Sequence, residues 1–388
     1  MMKTRNCMLL LLMWATVCPL LASIRIIHGP YLQNVGEREA TLVWISDSPS
    51  VGWVETAPDD GTHFYARERP KTYDTHIGIK RTGRIHTVRL TGLEPGTRYR
   101  YRVCVQEVTA HKGNRVTYGD MAATDVYGRE PLAFRTNDST KPTVAFAMVN
   151  DIHGQNDLLG QLIGQCDMDA TDLVLFNGDM VSAFNNEEQV FGGFMDRAVK
   201  LFASTVPAYY CRGNHETRGA LAPAFKDYFN PSSEELFYMF RQGPVCFVVL
   251  DCGEDKPDSD IEYYGITAYD DYRTRQAEWL REALHSDLYR QAPFKVIVCH
   301  MPPFGGWHGE LDIARKFIPL LNEARPDVYL SAHLHEYIRH AAGEDGVAFP
   351  LIVNSNHTLL KGEADSHRLT LRVFGPDGKE TDRLVIEK

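Results

Sequence analysis

Five apolar runs, each stopping on a side chain that can hold a cation, constrain this chain more than any other feature. They cover residues 143–149, 172–176, 206–211, 294–299 and 328–330. They stop at Asp151-Ile152-His153, Asn177-Gly178-Asp179, Gly213-Asn214-His215-Glu216, His300 and His333-Leu334-His335. Their length and composition predict buried strands. Amphipathic helices are expected over 157–166, 186–202, 270–285 and 311–324, and a closing hairpin over 369–374 and 383–386. Strand, loop, helix, strand is the signature of an α/β domain, and such sheets bind ligands beyond the carboxyl ends of their strands. Asp-x-His and His-x-His put alternate side chains on one side of an extended segment. Carboxylate, amide oxygen and imidazole without Cys suit Mn, Fe or Zn. The candidate ligands are therefore Asp151, His153, Asp179, Asn214, His300, His333 and His335, with His215 beside the metals as a proton donor.

Residues 24–137 read as all-β, with strands over 25–32, 40–45, 52–55, 85–90 and 133–136. Leu93, then Pro95-Gly96, then Tyr99 entering a strand has the layout of a tyrosine corner. With Trp44 on an early strand, this half resembles a fibronectin type III-like sandwich. His28, His63, His76, His86 and His111 are scattered and are expected to be surface or packing residues. Residues 137–142 are polar, contain Pro142, and mark a linker to a second domain over 142–388.

The 388 residues carry a net charge of −10, which argues against a nucleic-acid backbone as partner. An anionic substrate then needs a local positive centre, such as bound metal. Lys3 and Arg5, the apolar stretch 8–21 and the small pair Ala22-Ser23 read as an export signal over 1–23. Membrane contact is expected only through a lipid anchor on Cys18, whose preceding residues match a lipoprotein cleavage site loosely. The remaining Cys104, Cys166, Cys211, Cys246, Cys252 and Cys299 are expected to be mostly reduced core thiols.

The ordered set Asp151-x-His153, Gly178-Asp179, Gly213-Asn214-His215-Glu216, His300 and His333-x-His335 resembles the calcineurin-like metallophosphoesterase family. Gly29-Pro30-Tyr31-Leu32-Gln33 resembles the start of the N-terminal domain of purple acid phosphatases. The resemblance implies a four-layer αββα sandwich and two divalent or mixed-valence metal ions. It implies that Asp151, His153 and His335 hold one metal, that Asn214, His300 and His333 hold the other, and that Asp179 bridges them. Glu216 would then either orient His215 or face water. Two positions depart from purple acid phosphatases: Ser182 stands where they carry an iron-bound Tyr, and His153 fills the place instead. Without a tyrosinate no purple charge-transfer band is expected. The usual Gly before His-x-His is Ala332 here.

The implied activity is hydrolysis of small-molecule or peptide-borne phosphate esters outside the cytoplasm, by water made reactive on the metals. Monoesters lead, with diesters as the alternative from the same metal core. A surface binding module with a vestigial catalytic half is the rival of another class, and a nuclease is disfavoured by the missing basic stripe. In the loops, Trp307 or His308 is a candidate substrate contact, balanced against a packed surface turn. Residues 254–264 are expected to form an ordinary solvated loop.

Overall fold

The structure is a computed structural model that describes residues 23–229 and 234–388. The export signal and Cys18 lie outside the described residues. Among the described residues no helix is long and apolar enough to cross a membrane.

The first half is all-β. The separate strands expected over 40–45 and 52–55 are one strand, Glu39–Pro58. Its first part pairs with Ile26–Gln33 and Gly83–Thr91, and its second part pairs with Arg98–Lys112 and Lys71–Tyr73. The polar stretch Ser46–Ser50 that looks like a turn in sequence is instead a register shift within the strand. Leu42, Trp44, Val54, Val88, Tyr101, Val103 and Phe134 from the two parts share one core. The Tyr99 hydroxyl accepts a hydrogen bond from the Glu94 N–H at 2.9 Å, the contact expected of the tyrosine corner.

His86 is the buried histidine of this half. Its ring stacks on Trp44 at 5.3 Å, and Nε2 lies 2.8 Å from Ser50 Oγ. Burial, helped by Arg81, pushes it down from 6.5 to about 4. An unfolded chain takes up this proton near pH 6.5 and the folded protein only near 4, so its contribution to stability is lost as pH falls across that window. The slope is about 1.4 kcal/mol per pH unit. His86→Gln lacks it, so the gap in urea-unfolding free energy between wild type and variant should narrow from pH 7 to 4.5. A gap that stays constant would contradict the buried neutral ring.

The second half stacks four layers. One six-stranded sheet runs Ala208–Cys211, Leu173–Asn177, Val144–Val149, Leu359–Ala364, Arg368–Phe374, Glu380–Glu387. The other runs Tyr238–Gln242, Val245–Leu250, Phe294–Cys299, Val328–Ser331, Leu351–Val353, Ile338–His340. Strand alternation sorts the side chains. Phe146, Met148, Leu173 and Leu175 meet Phe247, Val249, Val296 and Val298 between the sheets. Ala147, Val149, Val174 and Phe176 face outward to Leu159, Phe191 and Phe194. Val248, Leu250, Ile297 and Tyr329 face outward to Leu280, Leu284 and Ile313.

Two expected helices differ in detail. The 186–202 stretch contains π-helical turns at Phe191–Met195 and Val199–Ala203. The 311–324 stretch is two helices, His308–Lys316 and Ile318–Ala324. Pro319 has no N–H to give and its ring crowds the preceding turn, so the first helix stops before it. Leu359–Ala364, not foreseen as a strand, runs antiparallel to Val144–Val149 at the sheet's centre.

The halves share a core. Tyr31, Val43 and Ile45 pack with Phe191 and Phe229. Tyr31 Oη and Gln33 Nε2 both donate to the Tyr228 carbonyl, and Tyr101 Oη donates to that of Ser204.

Candidate metal centre

The five predicted runs end on one edge because their strands run parallel within each sheet. Past that edge the backbone leaves extended geometry. Asp151, His153, Asp179, His333 and His335 all have positive φ, between 47° and 73°. Residues with a Cβ avoid this region, and such strain gathers at functional sites. Cross-links hold the turns together: the Asp151 N–H donates to the Gly178 carbonyl, His153 to Asp179, and Ala332 to His300. A side chain at Gly178 would collide with His300, and one at Gly213 with Asp179, so these two glycines let the strand ends close.

The predicted ligands converge. Asp151, His153 and His335 form one cluster; His153, Asp179 and His215 a second; Asp179, His300 and His333 a third. Asp151 Oδ1 lies 3.2 Å from His335 Nε2, 3.9 Å from His300 Nε2 and 4.0 Å from His153 Nε2. Asp179 Oδ2 lies 3.1 Å from His300 Nε2 and 3.8 Å from His215 Nε2. One terminal atom of the Asn214 amide is 3.1 Å from His333 Nδ1 and 3.3 Å from Asp179 Oδ2. That atom faces a carboxylate and an imidazole. Without a cation it is best filled by the amide nitrogen, and with one by the oxygen, which leaves Nδ2 to Asp255 Oδ2 at 3.4 Å.

The residues present fit a cation. Asp151 is fully buried; Oδ2 accepts from Asn150 Nδ2 and the His333 N–H, but Oδ1 has no well-aligned hydrogen bond and faces only imidazoles, the nearest being His335 Nε2 at 3.2 Å. A buried carboxylate oxygen left bare among imidazoles is costly unless a positive ion meets it. Burial works against charge on Asp179, yet His300 outweighs it and holds the carboxyl well below the usual range. Burial likewise opposes charge on His300, but Asp179 and Asp151 push it up to about 10. Burial and the neighbouring His300 push His333 down to about 4. His300 Nδ1 donates to the Asn177 carbonyl at 2.7 Å, so Nε2 is aimed at Asp179.

Supporting groups depart from the sequence reading. Glu216 neither orients His215 nor faces water. It is buried, with Oε2 accepting from the N–H groups of Asp179 and Gly213, each at 2.9 Å. Oε1 accepts from the Met180 N–H at 2.7 Å and from Tyr210 Oη at 2.9 Å. It ties two strand-end turns together. His215 is oriented instead by the Ser182 carbonyl, 2.8 Å from Nδ1. Ser182 Oγ lies 3.3 Å from His153 Nδ1.

The 254–264 loop is also not simply solvated. Glu254, Asp255 and Tyr263 are buried, and Glu254 takes Arg218 through both carboxylate oxygens, at 2.6 and 3.0 Å. Burying these charges is tolerable because they are paired. Of the two candidate substrate contacts, His308 is engaged by Asp270 at 2.7 Å, whereas Trp307 is 54% exposed. The six cysteines are free, and all but the half-buried Cys166 are buried. Glu310 carried no signal in sequence, since it follows no apolar run.

The calcineurin-like phosphoesterase family model matches residues 144–337, the span that carries all seven candidate ligands and His215. The chain belongs to that family. The N-terminal domain of purple acid phosphatases matches residues 28–117 of this phosphoesterase-family chain. Purple acid phosphatase 21 of Arabidopsis thaliana is 26% identical over 297 residues, covering 70% of this chain and 59% of that protein. Purple acid phosphatase 22 of the same plant is 27% identical over 277 residues, covering 67% and 54%. The chain thus spans little more than half the length of these curated relatives. Yfce, a phosphoesterase from E. coli, aligns with 11% identity and a TM-score of 0.30 over 62% of this chain and 98% of its own.

Proposed function

We propose that this protein is an exported phosphoesterase acting on phosphate monoesters at a two-metal centre. One observation carries the reading: Asp179 belongs to two side-chain clusters, one with His153 and His215 and one with His300 and His333, while His153 also belongs to the cluster of Asp151 and His335, and Asn214 lies against Asp179 and His333. Asp151, His153 and His335 would hold one ion, and Asn214, His300 and His333 the other, with Asp179 on both. When bound, two such ions, Mn, Fe or Zn, supply Lewis acidity and lower the pKa of water. The side chains around them orient an ester so that water adds to phosphorus as the bond to the leaving alcohol breaks.

His215 is the group placed to complete that exchange. Its Nδ1–H donates to the Ser182 carbonyl, and the Nε2 edge, 3.8 Å from Asp179 Oδ2, faces the cluster. The ring is partly exposed, so it can exchange protons with solvent. In its protonated form it delivers a proton from Nε2 to the departing oxygen. Export is supported by the basic start, apolar stretch and small residues of the first 23 positions.

The test is a panel of chromogenic mono- and diesters with Mn, Zn and Fe supplied separately. His215→Ala should keep about two ions per chain and lose about a hundredfold to a thousandfold in kcat. The loss should be smaller for esters whose leaving group is acidic, because such a group departs without a proton. Equal loss across leaving groups removes the acid role. Hydrolysis of diesters alone overturns the monoester reading. Two bound ions with no hydrolysis of any ester favours the surface binding module.

A further inference from the structure

Glu310 is a buried carboxylate that neither the family likeness nor the strand-end pattern accounts for. It sits in the first turn of the His308–Lys316 helix. One oxygen, Oε2, accepts from the N–H groups of Gly306 and Trp307, at 2.6 and 2.8 Å. This is helix capping, since it satisfies donors that have no partner within the helix. Gly305 makes room for it: a side chain there would collide with the carboxylate.

The other oxygen has no such purpose. Glu310 Oε1 is buried and has no hydrogen-bond partner. It faces His333 Nε2 at 3.7 Å. The opposite nitrogen of the same ring, Nδ1, is 3.1 Å from the Asn214 amide on the metal side. The two ends of the imidazole are thus assigned by their neighbours. A carboxylate can only accept here, so it selects the ring with hydrogen on Nε2. That leaves the lone pair on Nδ1, where a cation held with Asn214 and His300 would meet it. Ligating histidines are commonly fixed in this way by a carboxylate on the far nitrogen. A 3.7 Å separation is longer than a hydrogen bond, so in this structure the pair is an electrostatic contact.

We infer that Glu310 is a positioning residue for His333, holding it in the Nε2–H tautomer and so joining the Trp307 turn to the second metal position. This rests on the two-metal reading above. Glu310→Gln separates capping from positioning. The amide oxygen must stay with the Gly306 and Trp307 N–H groups, because the opposite orientation sets donors against donors. The amide nitrogen then faces His333 Nε2 and favours the wrong tautomer.

The full chain is loaded with zinc and titrated by calorimetry, and ¹⁵N-histidine spectra are taken, with the His333 signal assigned through His333→Gln. Wild type should take two zinc ions and show His333 with hydrogen on Nε2. Glu310→Gln should keep one ion at unchanged affinity and bind the other about 10–100-fold more weakly. Equal binding of both ions by the variant, or hydrogen on Nδ1 in wild-type His333, overturns the inference while leaving the metal pair standing. A wild type that binds no zinc overturns the two-metal reading and this inference with it.

Discussion

Asp179→Asn should cut kcat/KM by at least about a thousandfold, equivalent to about 4 kcal/mol of barrier, and reduce bound zinc or manganese from two ions per chain to one or fewer. The reason is where the carboxylate sits. Oδ1 is engaged by the His215 N–H at 2.9 Å, and Oδ2 faces His300, Asn214 and His215. Among the described residues, His153 is the one other side chain that belongs to two of the three clusters, and it is neutral when it ligates. An amide keeps one oxygen and no charge, so it cannot serve two cations at once. It also places NH₂ groups where His300 needs an acceptor. The His215 N–H and the Glu216 contacts to the turn survive the change, so the fold should persist and the effect should be read in metal content by elemental analysis. Two retained ions with full activity would remove Asp179 from its bridging place.

Glu216→Ala should cost about 3–5 kcal/mol of unfolding free energy, although the side chain touches no predicted ligand side chain and no solvent. Truncation strands the N–H groups of Asp179, Met180 and Gly213 and the Tyr210 hydroxyl, all of them buried. Each unsatisfied buried donor costs about 1–3 kcal/mol. Part of that is returned. Burial, and then the charge of Asp179, raises the Glu216 pKa, so removing the carboxylate relieves a like-charge contact. Metal content should fall too, because the same bonds hold the Asp179 and Asn214 turns in place. Glu216→Gln should be milder in stability, since one oxygen remains for part of the set. Urea unfolding decides the matter: a change within about 0.5 kcal/mol is what a surface glutamate gives, and it would show that the turns do not depend on this residue.

The pattern that was legible in sequence is the one with a strict local cause. Apolar runs with a polar stop are visible because burial on both faces of a strand demands continuous hydrophobicity. Runs 143–149, 172–176, 206–211, 294–299 and 328–330 were readable for that reason, and their stops carry the candidate ligands. The strand Leu359–Ala364 was not, because Lys361, Gly362 and Glu363 interrupt its apolar residues. Gly362 is there because a side chain would collide with Phe146 on the neighbouring strand, a contact made across more than two hundred residues of chain. The helix break before Pro319 could have been read from the proline alone.

What the chain determined by itself is the list of donor atoms and the edge they share, because strand periodicity and parallel connection are local rules. What only the tertiary structure decided is how those atoms are aimed. The positive φ angles at Asp151, His153, Asp179, His333 and His335 exist only in the folded turns, and the carbonyl behind His215 and the partners of the buried carboxylates of Glu216 and Glu254 are distant in sequence. Hydrogen bonds to backbone groups leave no trace in residue spacing, since any residue type can supply an N–H or a carbonyl. Burial, which makes those bonds costly to lose, exists only once both sheets have closed over them.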